Sequence, residues 1–327
     1  MNNQVSNRFA WMAFVCAILV VFIHIGKVQH AGCSLLMYQI LVDGVCKIAV
    51  PFFFMASGYF LARRYGEENW WQVALRKRVQ TILIPYVFWN GVTILLVGDW
   101  SIKGIVNGFG FNPMDYCALN ALWFMRSLFL FVIVSSVLFP LLLRISIRSF
   151  LSLVGVSLVI IEFAYSTALP WVVPFEITFS LRGLVFFAVG VYLSMHSVNV
   201  SIYNERCKLI LCALSGISLV IMTYLDRSGA HGTWVMRPVV MILALCAVWM
   251  LMPTITMPKA LQFTAFRIYI LHGIVLGGAR CLGMKMTMDS ILEYLFRGIV
   301  CVGICVLISH AMNWALPRFA RIVFGGR

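Results

Sequence analysis

Charged side chains are scarce in this chain. They make up 11% of its 327 residues, and acidic ones are scarcest, with 11 Asp and Glu against 25 Lys and Arg. A soluble globular domain carries about a quarter charged residues, so a water-soluble fold is excluded. The ten cysteines contain no CxxC pair, and Cys16, Cys46, Cys212, Cys246, Cys301 and Cys305 lie inside apolar runs. They read as small buried residues, and neither a disulfide framework nor a metal site is expected. A cleavage pattern is also missing after the first apolar run, which is too long for a signal peptide's core and reads as a retained helix. Linkers, low-complexity segments and internal repeats are not evident, so residues 1–327 read as a single membrane-embedded domain.

What is present is apolar. Hydrophobic residues make up 62% of the chain, and its mean hydropathy is +0.96. Runs of roughly 20 apolar residues, long enough to cross a bilayer, recur along the whole length. Reading run length against polar breaks predicts ten helices in one all-α bundle, at 9–30, 36–62, 79–98, 118–143, 149–168, 175–195, 208–225, 237–257, 260–281 and 291–314. A formal charge of +14 would suggest nucleic acid in a soluble chain, but here the basic residues cluster between the apolar runs. Arg8, Arg63, Arg64, Arg76, Lys77, Arg78, Arg144, Arg148, Arg206, Lys208, Lys259, Arg318, Arg321 and Arg327 fall on one side of the predicted membrane. Only Lys27, Lys103, Arg227 and Lys285 stand out on the other. The positive-inside rule then places both termini in the cytoplasm and removes the need for a nucleic-acid partner. The Gly-rich loop from Asp99 to Asn112, closed by Pro113, is the longest predicted outside, and reads as a lid or a connector.

A charge in hydrocarbon costs several kcal/mol by insertion scales, so ionisable residues within the spans normally face a partner or a wet cavity. Counting from the predicted helix ends puts His24 roughly 22 Å up the first helix at 1.5 Å per residue. Lys47, Arg126, Arg182 and His272 fall in the same outer band on four other helices. That shared depth predicts a polar cavity with more positive than negative charge, suited to an anionic ligand or a developing oxyanion. Its acidic counterparts are Asp43, one turn from Lys47, and Glu162 and Glu176. Imidazole takes and returns a proton near neutrality, which singles out His24. His310, His30, His196 and His231 read as structural, interfacial or loop residues. Ser57, beside Gly58, reads as a packing step rather than a nucleophile.

The segments FVCAILVVFIH (Phe14–His24), VPFFFMASGYF (Val50–Phe60), RVQTILIPYVFW (Arg78–Trp89), LWFMRSL (Leu122–Leu128), RGLVFFAVGVY (Arg182–Tyr192) and FRIYILH (Phe266–His272) occur in a telling order. In this combination the chain resembles the acyltransferase-3 family of bacterial inner-membrane O-acyltransferases. The resemblance implies a multi-pass domain that takes an acyl group, acetyl foremost, from cytoplasmic acyl-CoA. It delivers that group to a hydroxyl of a cell-surface polysaccharide or lipid-linked glycan precursor. Acyl-CoA is then a donor substrate, no cofactor is permanently bound, and the other partners are the glycan acceptor and membrane lipids. His24 takes the place of the family's leading catalytic histidine. The family usually has Arg or Lys eleven positions earlier, where this chain has Ala13. Eleven residues is close to three turns, so positions 13 and 24 share a stripe.

On this reading Arg63, Arg64, Arg76, Lys77 and Arg78 bind the CoA phosphates, with Arg144 and Arg148 as further candidates, because guanidinium and ammonium groups suit phosphate. His24 is general base or nucleophile, and Arg126, Arg182, Lys47 and His272 complete the catalytic set, a cation among them facing the oxyanion. Two rival classes remain at this stage: a transporter or flippase of a glycan or lipid-linked intermediate, and a non-catalytic membrane scaffold. Paired inverted halves with broken helices, common in transporters, are not found.

Overall fold

The computed structural model describes residues 3–29, 32–97, 100–109, 122–166, 175–200, 204–229 and 233–326; of Val97 and residues 175–179 it describes only the backbone. The protein is all-α. Its long helices are α1 (Asn3–His24), α2 (Cys33–Ala62), α3 (Trp70–Leu96), α5 (Trp123–Arg144), α6 (Ile147–Ser166), α7 (Phe175–Met195), α8 (Glu205–Arg227), α9 (Thr233–Leu251), α10 (Thr264–Cys281) and α11 (Ile291–Ala315). Among the described residues there are also short helices α4 (Ile102–Gly108) and α12 (Pro317–Val323). Strands β1 (Lys27–Val28) and β2 (Thr287–Met288) form one parallel pair.

Each of the ten predicted segments corresponds to one long helix. Eight are long and apolar enough to cross a membrane, and the protein is a multi-pass membrane protein. The other two are α7, apolar over Ser180–Met195, and α10, whose hydropathy is diluted by Arg267, His272 and Arg280.

Two boundaries differ enough to matter. The first helix runs from Asn3 to His24 rather than 9–30. Its polar start is anchored further along, where Asn7 donates a 2.7 Å hydrogen bond to Thr254 O and Arg8 is buried. It stops where Gly26 takes a φ of 138°, open to glycine and strained for other residues. The third begins at Trp70 rather than 79. Trp70 stacks on Phe139 at 4.9 Å and Trp71 Nε1 donates to Val132 O at 3.1 Å, so two aromatic anchors carry the helix past its charged turn. Arg76, Lys77 and Arg78 therefore sit on a helix and not in a loop.

Contacts divide the chain into two compact units, each discontinuous in sequence. The first comprises residues 1–53 and 199–307. In it α1 and α10 pack side by side and lead into the paired β1 and β2, while Leu219, Met222 and Val240 join α8 to α9 against Val45 of α2. A Cβ at Gly44 would overlap Leu219, so the small residue sets that approach.

The second unit comprises residues 54–198 and 308–327. Here α2 and α7 meet through glycine: a Cβ at Gly58 would overlap the Phe187 carbonyl, and one at Gly190 the Met55 carbonyl. Apolar surface gives no hydrophobic driving force in lipid, so close backbone approach through small residues holds such helices. The reading of Ser57-Gly58 as a packing step fits this contact.

The segment after α3 contains α4, whose N-cap Ser101 accepts from Gly104 N at 2.9 Å. Tyr86 OH donates to Phe109 O at 2.6 Å and ties that segment to α3. Asp99, Pro113, residues 110–112, His30 and His231 lie outside the described residues, as does the side chain of Glu176.

Candidate active site

In the first unit His24 is the last residue of α1, not one six residues short of its end. The chain around it is fixed from several sides. Tyr294, fully buried on α11, donates its hydroxyl to Phe22 O, one of the carbonyls a helix end leaves unsatisfied. Tyr38 OH donates to Gly26 O at 3.2 Å and meets the Tyr294 ring edge-on at 5.1 Å. Lys27 N donates to Met286 O and Gln29 N to Met288 O, each at 3.0 Å. A Cβ at Gly26 would overlap the Met286 carbonyl, so the exit from α1 needs glycine for space as well as conformation.

His272 comes to His24 from α10, with ring centroids 5.2 Å apart. It is fully buried, and its Nδ1 lies 3.3 Å from Ile268 O. With the proton on Nδ1 donated to that carbonyl, Nε2 presents a lone pair, and this buried atom has no hydrogen-bond partner among the described residues. Arg280, two turns further along α10, is close enough for its charge to act on His24. The arrangement is two imidazoles in contact, one rigidly seated with an unused acceptor, and a cation nearby.

The other predicted cations are placed differently. Lys47 pairs with Asp43 at 3.0 Å, both side chains half exposed, where α2 passes through a π-helical stretch at Ile40–Val45. Cys46, next to Lys47, is fully buried, as is Cys16 on α1. Arg8, the other basic residue of α1, is 16 positions from His24, about 160° around the helix at 100° per residue, so it does not share the stripe of Ala13 and His24.

Arg126 and Arg182 belong to the second unit. Arg182, on α7, forms a buried ion pair with Glu162 of α6 and lies 5.9 Å from the Tyr165 ring centroid. Arg126 stands in the first turns of α5, half-buried. His196 stacks on Tyr192 at 4.1 Å, a packing role.

The second unit also contains a cavity of about 660 Å³ lined by Arg63, Arg64, Lys77 and Arg78, with Glu67 as its acid. This volume is within the range of small-molecule sites. Arg64 and Glu67 approach to 3.7 Å, both substantially exposed. Arg76 is not part of the lining. Among the described residues no three His, Cys, Asp or Glu side chains group closely enough to hold a metal ion.

Sequence reasoning missed Arg280, Tyr38 and Tyr294, since a tyrosine in an apolar run carries no sign of the carbonyl it will meet. Thr81, which also lines the basic cavity, gave no signal either.

Fold and site together define a multi-pass helical membrane protein with an imidazole pair, His24 against the buried His272, in one unit and a cationic cavity in the other. The family described as "Acyltransferase domain" matches residues 8–310, nearly the whole chain, and the chain belongs to this acyltransferase-3 family. It is similar to the succinoglycan biosynthesis protein ExoH of Rhizobium meliloti (strain 1021), with 24% identity over 254 residues, 70% of this chain and 65% of that protein. The match thus spans just under two thirds of that relative. No solved structure matches the chain.

Proposed function

We propose that the protein is an O-acyltransferase, and specifically an O-acetyltransferase. It moves the group from cytoplasmic acyl-CoA to a hydroxyl of a cell-surface polysaccharide or its lipid-linked precursor. The observation that carries this reading is the contact of His24 with His272 at the end of α1, within a chain of the acyltransferase family. The similarity to a protein named for succinoglycan biosynthesis supports a polysaccharide acceptor. The bias of basic residues supports a bacterial inner-membrane location with both ends cytoplasmic.

In the proposed reaction His24 takes the proton of the acceptor hydroxyl as its oxygen attacks the thioester carbonyl. Lys47, the candidate cation in the unit that holds His24, stabilises the tetrahedral oxyanion. Collapse breaks the carbon–sulfur bond, and the thiolate leaves with the proton from His24, giving an ester and free CoA. His272 holds the first imidazole in place through its own seat on Ile268 O. The cavity lined by Arg63, Arg64, Lys77 and Arg78 holds the donor phosphates.

Membranes carrying His24→Ala, given radiolabelled acetyl-CoA, should lose transfer by about 10²- to 10⁴-fold, the usual contribution of a general base. The variant should remain folded and inserted. Unchanged glycan acylation by this variant would remove His24 from the mechanism.

A further inference from the structure

Thr81 stands apart from the other threonines of its setting. In the same helix Thr93 donates back to Trp89 O at 2.9 Å, and on α8 Thr223 does so to Leu219 O at 2.8 Å, the usual way an apolar helix satisfies a hydroxyl. Thr81 lies in the π-helical stretch Val79–Leu83, and its buried hydroxyl has no hydrogen-bond partner among the described residues. It lines the cavity that also holds Arg63, Arg64, Lys77 and Arg78 against the single acid Glu67. A buried hydroxyl without a partner is costly unless something supplies one.

The wall beside Thr81 comes from the end of the chain. Helix α12 docks on α3: Trp89 Nε1 donates to Val323 O at 2.9 Å, Phe88 meets Phe319 at 5.5 Å, and Trp89 meets Phe324 at 5.8 Å. Gly325 and Gly326 then take φ of 69° and 76°, and their N–H groups close the helix onto Ile322 O at 3.2 Å and Arg321 O at 2.5 Å. This left-handed ending lets Gly325 rest on the Thr81 backbone, where a Cβ would overlap the carbonyl. Both glycines line the cavity, and both lie beyond residues 8–310, so the family match does not include this wall.

We propose that the Thr81 hydroxyl is a phosphate ligand in this cavity, and that the C-terminal segment 317–326 is the wall that holds it against the bound polyphosphate. This inference rests on the acyl-CoA reading of the cavity and adds to it a neutral donor and a closing element. The four cations supply attraction without direction, whereas a hydroxyl seated by its own backbone selects where a phosphate oxygen sits.

The test is titration of the full chain in lipid nanodiscs with CoA, with inorganic pyrophosphate, and with pantetheine, which lacks phosphate. Thr81→Val should weaken CoA and pyrophosphate by about 10- to 100-fold, since a hydrogen bond to a charged group is lost. Thr81→Ser should bind like the wild type, which separates the hydroxyl from any folding defect. Gly325→Ala should weaken both ligands by displacing the wall, and pantetheine should respond to none of these changes. Wild-type affinity for CoA in both Thr81→Val and Gly325→Ala overturns the inference and leaves the donor reading intact. Thr81-dependent binding of pyrophosphate without any binding of CoA supports the anion site and ends the donor reading. Binding of neither ligand by the wild type overturns both.

Discussion

The two units treat buried polarity in different ways. Around the end of α1 in the first, the chemistry rests on imidazoles and phenols, and order comes from hydrogen bonds to main-chain carbonyls: Tyr294 to Phe22 O, Tyr38 to Gly26 O, His272 to Ile268 O. In the second, Arg182 is matched by the carboxylate of Glu162, and Lys77 and Arg78 face a cavity. Neutral groups seated by backbone keep a fixed geometry at modest cost, which suits a proton-transfer residue that must cycle between states. Full charges at depth need a counter-charge or a wet space, which suits structural pairing and anion capture.

The contrast breaks most visibly at Glu162. Replacing it with Ala removes the carboxylate that Arg182 pairs with in the buried ion pair and should cost about 3–5 kcal/mol, read as a lower melting temperature in detergent. The double change of Glu162 and Arg182 to Leu should recover most of that loss. If the recovered protein keeps its acyl transfer, Arg182 is a structural cation; if it is stable but inactive, Arg182 has a role in the reaction.

A smaller effect should come from Tyr294→Phe, which leaves the Phe22 carbonyl without its buried donor. The expected loss is about 1–2 kcal/mol of stability. Turnover should fall several-fold with KM unchanged, because the end of α1 that carries His24 loosens. An unaltered kcat would show that the β1–β2 pairing alone seats His24.

Lys47→Ala should change stability least. Its pair with Asp43 is half exposed, and exposed pairs contribute at most about 1 kcal/mol, so a shift in melting temperature near the limit of detection is expected. A large loss of transfer with stability intact would place Lys47 at the oxyanion.

Much of the fold could be read in the sequence because lipid imposes a one-dimensional rule. A segment such as 291–314 must be apolar for about 20 residues, and the structure puts α11 at Ile291–Ala315. The rule fails where polar residues are buried by partners, as at Asn7 and Arg8, or where aromatics anchor a charged turn, as Trp70 and Trp71 do. Those contacts join residues far apart in the chain, and hydropathy does not contain them.

The candidate site divides along the same line. Residue chemistry alone singled out His24, His272 and the basic residues from Arg63 to Arg78, because imidazole and guanidinium are conspicuous in an apolar chain. That Arg182 answers to Glu162, that Arg76 lies outside the cavity, and that Thr81 and Gly325 lie within it was decided only by tertiary structure. A charge within an apolar run announces itself through its cost, but its partner is chosen by packing in three dimensions.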